Sequence, residues 1–137
     1  MAGVYLYFNG NCREAFEFYK SAFGGEFSSV SVFRDAPIEM PGIPEADMDN
    51  IMHICLPVGG GELRGSDLPE SFDLRPGNNF AANVFLETRE EAEAVFEALS
   101  EGGVVYQPME DAFWGGYFGA CADRFGVNWH INCGGDS

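Results

Sequence analysis

Two stretches decide the fold: "CREAFEFYKSAFGGEF", residues 12–27, and "REEAEAVFEALSEGGVV", residues 89–105. In the first, Ala15, Phe18, Tyr19 and Ala22 step by 3, 1 and 3, and in the second Ala92, Val95, Phe96 and Leu99 do the same. That spacing lays one apolar stripe along an amphipathic helix. A shift of 77 residues carries the first set onto the second and Gly25 onto Gly102. Each predicted helix runs into a Gly-Gly pair, where glycine readily takes the left-handed cap conformation. Thr88, followed three residues later by Glu91, has the capping-box pattern of a helix start.

Working outward, a short strand pattern precedes each helix, "VYLYFN" (4–9) and "FAANVFLE" (80–87). Three more follow each one. In the first half they are "FSSVSVFR", "IMHICLPV" and "GELRGS", with a Pro- and acid-rich loop from Asp35 to Asn50. In the second they are "VVYQPM", "GGYFGACAD" and "VNWHINC". The connecting "DLPESFDLRPGNN" is rich in turn formers. The expected fold is α+β, with two βαβββ modules: residues 1–76, including the linker, and 77–137, together one structural domain.

Composition narrows the partners. The 137 residues carry 7 basic and 22 acidic side chains, a formal charge of −15. Phosphate contacts need clustered Lys and Arg, so no nucleic acid partner is expected. An anionic membrane surface is disfavoured for the same reason. Hydrophobic residues at 46%, 13 Phe among them, supply a core that needs no disulfide or metal for stability. Cys12, Cys55, Cys121 and Cys133 form no C-x-x-C pair and read as buried thiols. With no basic apolar leader and no bilayer-length apolar run, a cytoplasmic location fits.

Three segments then resemble a known family. "YLYFNGNCREAFEFYKSAFGGEF" is similar to the opening of the PhnB-like branch of the vicinal-oxygen-chelate superfamily, which includes glyoxalases, extradiol dioxygenases and bleomycin-resistance proteins. "IMHICLPVGGGELRGSD" is similar to its third and fourth strands, and "FWGGYFGACADRFGVNWHIN" to its ending. The resemblance implies two modules whose curled mixed sheets enclose a cavity, with the helices packed outside. It also implies a homodimer. Metal-binding members take His, Glu or Gln ligands from the first and fourth strands of each module. Those positions fall here on Val4 or Leu6, Arg64, Asn83 and His130, with Tyr5 or Tyr7 entering in another register. A divalent metal wants about three His, Glu or Asp ligands. An aliphatic residue, a permanent cation and an amide do not supply them. No metal or other cofactor is therefore expected, one divalent ion being the alternative, for which Glu62 is a substitute ligand.

His130 is left as a hydrogen-bonded ring in the cavity wall, or as a ligand-contacting or proton-transfer group. His53 reads as a strand histidine. Arg64 needs a counter-charge: either Glu62 on the same strand face, or a carboxylate, phosphate or phosphonate of a ligand. Ser66 shares that face. Trp114 and Tyr117 are candidate pocket walls, or else core or interface residues. "GGG" at 59–61 lacks the G-K-[ST] ending of a phosphate loop and reads as a hairpin turn. The expected function is small-molecule binding, an anionic ligand being one candidate class, through Arg64, Asn83, His130, Ser66, Glu62, Trp114 and Tyr117. The alternative is an enzyme on the same scaffold using His130 and Arg64.

Overall fold

The computed structural model describes residues 3–36, 42–59, 61–69 and 71–134. The chain divides into two units, Met1–Arg75 and Pro76–Ser137. The first contains β1 (Val4–Phe8), α1 (Cys12–Phe23), β2 (Ser29–Val32), β3 (Ile51–Val58) and β4 (Gly61–Asp67). The second contains β5 (Ala82–Leu86), α2 (Arg89–Ser100), β6 (Val104–Asp111), β7 (Tyr117–Ala122) and β8 (Asn128–Cys133). Each is thus a βαβββ module. Parts of two expected features, residues 37–41 of the long loop and residue 60 of the hairpin turn, lie outside the described residues.

The sheets correct one expectation. Their strand orders are β1-β4-β3-β2 and β5-β8-β7-β6, each with one parallel pair, β1–β4 or β5–β8, and otherwise antiparallel. Neither sheet is closed or strongly curled. Closure requires strands to tilt and stagger until the two edges meet. Here the edge strands β1 and β2 have only five and four residues and pair solely with β4 and β3 among the described residues.

The helical stripe also differs from the one predicted. The buried residues of α1 are Cys12, Ala15, Phe16 and Tyr19, while those of α2 are Ala92, Val95, Phe96 and Leu99. The packed faces therefore repeat at 80 residues rather than 77, although Gly25 and Gly102 do share positive φ values of 86° and 78°. The reason lies in the sheet. Phe16 sits on Gly65 of β4, where a Cβ would come within 2.6 Å of its ring, and Phe96 sits likewise on Gly119 of β7, at 2.9 Å. Beside Gly65 stands Ile54 of β3, and beside Gly119 stands Ile131 of β8. Each ring thus has one empty and one filled place beneath it. Burying such a ring contributes roughly 1.5–3 kcal/mol.

The helix starts are solved differently. In α2 the Thr88 hydroxyl accepts from the Glu91 N–H at 3.1 Å, as the capping pattern predicts. In α1 no Asn11 side-chain cap forms. Instead, Asp67, buried at the end of β4, accepts from the N–H groups of Gly10 (2.8 Å), Cys12 (3.0 Å) and Ile51 (2.9 Å). A second buried carboxylate, Asp123, accepts from Phe125, Val127 and the indole of the buried Trp129. All four cysteines are free and buried. Among the described residues, no helix is long and apolar enough to cross a membrane.

Candidate functional site

Strand alternation fixes which residues share the face of each sheet turned away from its helix. In the first unit, Tyr5, Arg64 and Cys55 are cross-strand neighbours on β1, β4 and β3. Leu6 is buried and belongs to the row of Gly65 and Ile54 under α1. The first family position is therefore Tyr5 or Tyr7 rather than Val4 or Leu6. In "VYLYF" the apolar residues alternate with tyrosines, and that parity was the available signal.

This face carries a linked polar cluster. The Cys55 thiol donates to Glu62 Oε2 at 2.8 Å, and Arg64 Nη2 donates to Glu62 Oε1 at 3.1 Å. The thiol contact, followed by the guanidinium, holds the Glu62 carboxyl below the usual carboxylate range. Glu62 in turn holds the guanidinium more firmly protonated than usual. Tyr5 Oη lies 3.3 Å from His53 Nδ1, and the Tyr5 and Tyr7 rings tilt together at 5.1 Å. Ser66 shares the face but is buried, with only 6% of its surface exposed. Tyr5 is open in the sequence as the alternative register, whereas nothing in the spacing points to Cys55 as a member of this group.

In the second unit, Asn83 and His130 are direct neighbours on the parallel β5–β8 pair. His130 is exposed, its ring edge-on to Phe118 at 5.2 Å and 86°. Asn132 donates to Asn83 Oδ1 at 2.7 Å and to the Val84 carbonyl at 3.2 Å. Trp114, in the β6–β7 connection, packs edge-on against Phe113 and Phe118. Tyr117 turns the other way: its hydroxyl donates to Glu93 of α2 at 2.6 Å, and the Arg89 guanidinium lies over its ring at 4.4 Å. Tyr117 thus does not join the His130 face.

Beside His130 opens a cleft of about 340 Å³, lined in part by Asn78, Asn79, Phe80, Tyr106 and Asn128. Sequence reasoning passed over these residues. They come from separate stretches, and an Asn-Asn pair in a turn-rich linker carries no chemical signal of its own.

The donor set does not fit the metal that the superfamily implies. In the first unit the corresponding positions hold a phenol and a guanidinium already paired with a carboxylate. In the second they hold an amide and a single imidazole. Among the described residues, no three His, Cys, Asp or Glu side chains gather as a metal site requires.

Paired βαβββ modules with these positions define a protein of the vicinal-oxygen-chelate class. The chain belongs to its PhnB-like branch, and residues 2–132 match the family described as 3-demethylubiquinone-9 3-methyltransferase. It is 27% identical to Protein YjdN of Escherichia coli, over 93% of this chain and 91% of that one. The crystal structure of protein PA1353 from Pseudomonas aeruginosa is 38% identical and superposes with a TM-score of 0.82, covering 97% and 96% of the two chains. A protein from Bacillus cereus, described as a putative 3-demethylubiquinone-9 3-methyltransferase, PhnB protein, is 26% identical. It superposes with a TM-score of 0.72, covering 97% and 98% of the two chains.

Proposed function

We propose that this chain is a small-molecule-binding protein of the glyoxalase/bleomycin-resistance-like PhnB type that holds its ligand without a metal. The observation that carries this reading is the second unit's cleft, where aromatic surface and hydrogen-bonding side chains meet next to His130. Ligand pockets combine those two kinds of group. We assign His130 and Asn83 to ligand contact in the second unit. Arg64, in competition with Glu62, is assigned to a ligand's negative charge in the first. The methyl transfer named in the family's description is not carried over. Cofactor sites of doubly wound proteins lie at the switch point of a parallel sheet, and each sheet here has a single parallel pair.

Calorimetry against a library of small organic compounds tests the reading. The expected result is a saturable binder whose affinity falls in His130→Ala, with metal chelation leaving the affinity unchanged. Absence of any binder, or binding that vanishes with EDTA and returns with metal, would overturn it. Self-association is part of the proposal. Phe72 and Phe113 are exposed, and interfaces are enriched in such aromatics. Light scattering should return twice the 15.0 kDa of one chain.

A further inference from the structure

We propose that the cleft of the second unit takes an uncharged, planar heteroaromatic ring with hydrogen-bond donors and acceptors on its edge. This rests on the binding reading above and names the ligand class. Charge is the first observation. None of the residues lining the cleft carries a carboxylate, ammonium or guanidinium, in a chain with 22 acidic residues and a net charge of −15. A cationic ligand would find no counter-charge there, and an anionic one would enter against the field of the whole protein.

Shape and surface come second. Phe80, just before β5, and Tyr106, on β6, both line the cleft and leave 64% and 62% of their surface exposed. Exposed aromatic rings at a concave site are stacking surfaces, and stacking accepts any planar π system. A volume of about 340 Å³ is near the lower end of small-molecule pockets, about 300–1,000 Å³, which suits one or two rings.

The third observation is unspent hydrogen bonding. Asn78, Asn79 and Tyr106 make no side-chain hydrogen bond among the described residues. Asn128 commits its Nδ2 to the Gly77 carbonyl at 3.3 Å, which leaves its Oδ1 as an acceptor for the cleft. Each asparagine amide offers both a donor and an acceptor. A ring amide, or a ring nitrogen together with a carboxamide, presents both a donor and an acceptor along its edge, whereas a carboxylate or ammonium presents only one kind.

Nicotinamide, benzoate and benzylamine are probes of similar size that differ in charge. Titrated into the ¹⁵N-labelled full chain, nicotinamide is expected to shift backbone resonances of residues 78–81, 106 and 128–130, with saturation in the millimolar range. Each charged probe is expected to bind about tenfold more weakly, or worse. Tyr106→Ala and Asn128→Ala should each weaken nicotinamide by about tenfold, while Tyr106→Phe, which keeps the ring, retains most of the affinity. Unchanged dispersion in the variant spectra separates loss of binding from loss of fold. Benzoate or benzylamine binding at the cleft as tightly as nicotinamide would overturn the ligand class and leave the binding reading standing. So would nicotinamide shifts confined to residues outside the cleft. Failure of all three probes together with a fragment library would overturn both.

Discussion

Arg64 is held by Glu62, two residues earlier on β4, through one guanidinium nitrogen that reaches both carboxylate oxygens, at 3.1 and 3.3 Å. The fork that makes arginine a good partner for carboxylates and phosphates is therefore only half used, and the Cys55 thiol anchors Glu62 from its other side. An incoming anion must compete with a tethered carboxylate. Glu62→Gln is expected to tighten benzoate or phenylphosphonate binding at this face by about tenfold, and Arg64→Ala to remove it. Arg64→Lys should recover only part, since an ammonium lacks the planar fork. Lowering the pH is not a substitute for the Gln variant. The carboxyl of Glu62 is held below its usual range, so the pair persists above that range and is lost only as pH falls through the lowered value. Calorimetry on the three variants at pH 5 and pH 7 checks both statements; equal affinity in all of them would make Arg64 purely structural.

The four thiols give a second expectation. Burial pushes Cys121 up to about 11, with the nearby Asp123 charge adding to the effect. Burial also raises Cys12 and Cys55, helped by Asp67 and Glu62 respectively. A raised thiol stays protonated in the folded chain while its unfolded counterpart ionises, so its stabilising contribution is complete below the unfolded pKa and declines as pH rises toward the folded one. The unfolding free energy from urea titration should fall between about pH 9 and 11, by roughly 1.4 kcal/mol per pH unit at the steepest for Cys121. A thiol reagent at pH 8 should find little reactivity in the native chain and four equivalents in urea.

Asp67 is the third. Replacing it with Ala would leave the Gly10, Cys12 and Ile51 N–H groups without their common acceptor at a buried position. Each buried donor left unsatisfied costs about 1–3 kcal/mol. The expected loss is about 3 kcal/mol or more by urea titration, larger than for Thr88→Ala, where one cap bond of about 1 kcal/mol is lost.

Glycine substitutions supply the fourth. A Cβ on Gly65 would meet the Phe16 ring at 2.6 Å and the Leu6 carbonyl at 2.9 Å. Gly65→Ala should destabilise by roughly 1–3 kcal/mol, as overpacking does. Gly119→Ala, whose first contact is the end of the flexible Met109 side chain, should lose less. Gly103→Ala should lose most, because its Cβ would overlap the Ala122 carbonyl, which is backbone and cannot rotate aside. Thermal melts of the three variants rank them.

The element order is legible in the sequence because it rests on period: 3.6 for residues 12–23 and 89–100, and 2 for the strands. The rotation of α1 is not. Ala15 and Tyr19 belong to both the predicted and the observed stripe, and only the hollow above Gly65 selects Phe16 over Phe18 as the packed ring. The Arg64–Glu62 pair is visible as two charges on one strand face, and Asn83 and His130 are brought together by the family resemblance, their register coming from the structure. The open, uncurled sheets were missed because closure depends on how strands tilt and stagger, which alternation does not encode. The cleft was missed because it gathers residues from the linker, β6 and β8.

The hollow beneath each helix ring also bears on how such a chain can evolve. In the first unit the glycine is on the fourth strand and the isoleucine on the third, and in the second unit they have traded places. A recombinant carrying β8 in place of β4 would seat Ile131 against Ile54 with no room for Phe16. The reverse exchange would set Gly65 beside Gly119 and leave a void under Phe96. The two halves share a plan but have become incompatible as spare parts, so this small exchange of one side chain acts as a barrier to shuffling strands between the repeats.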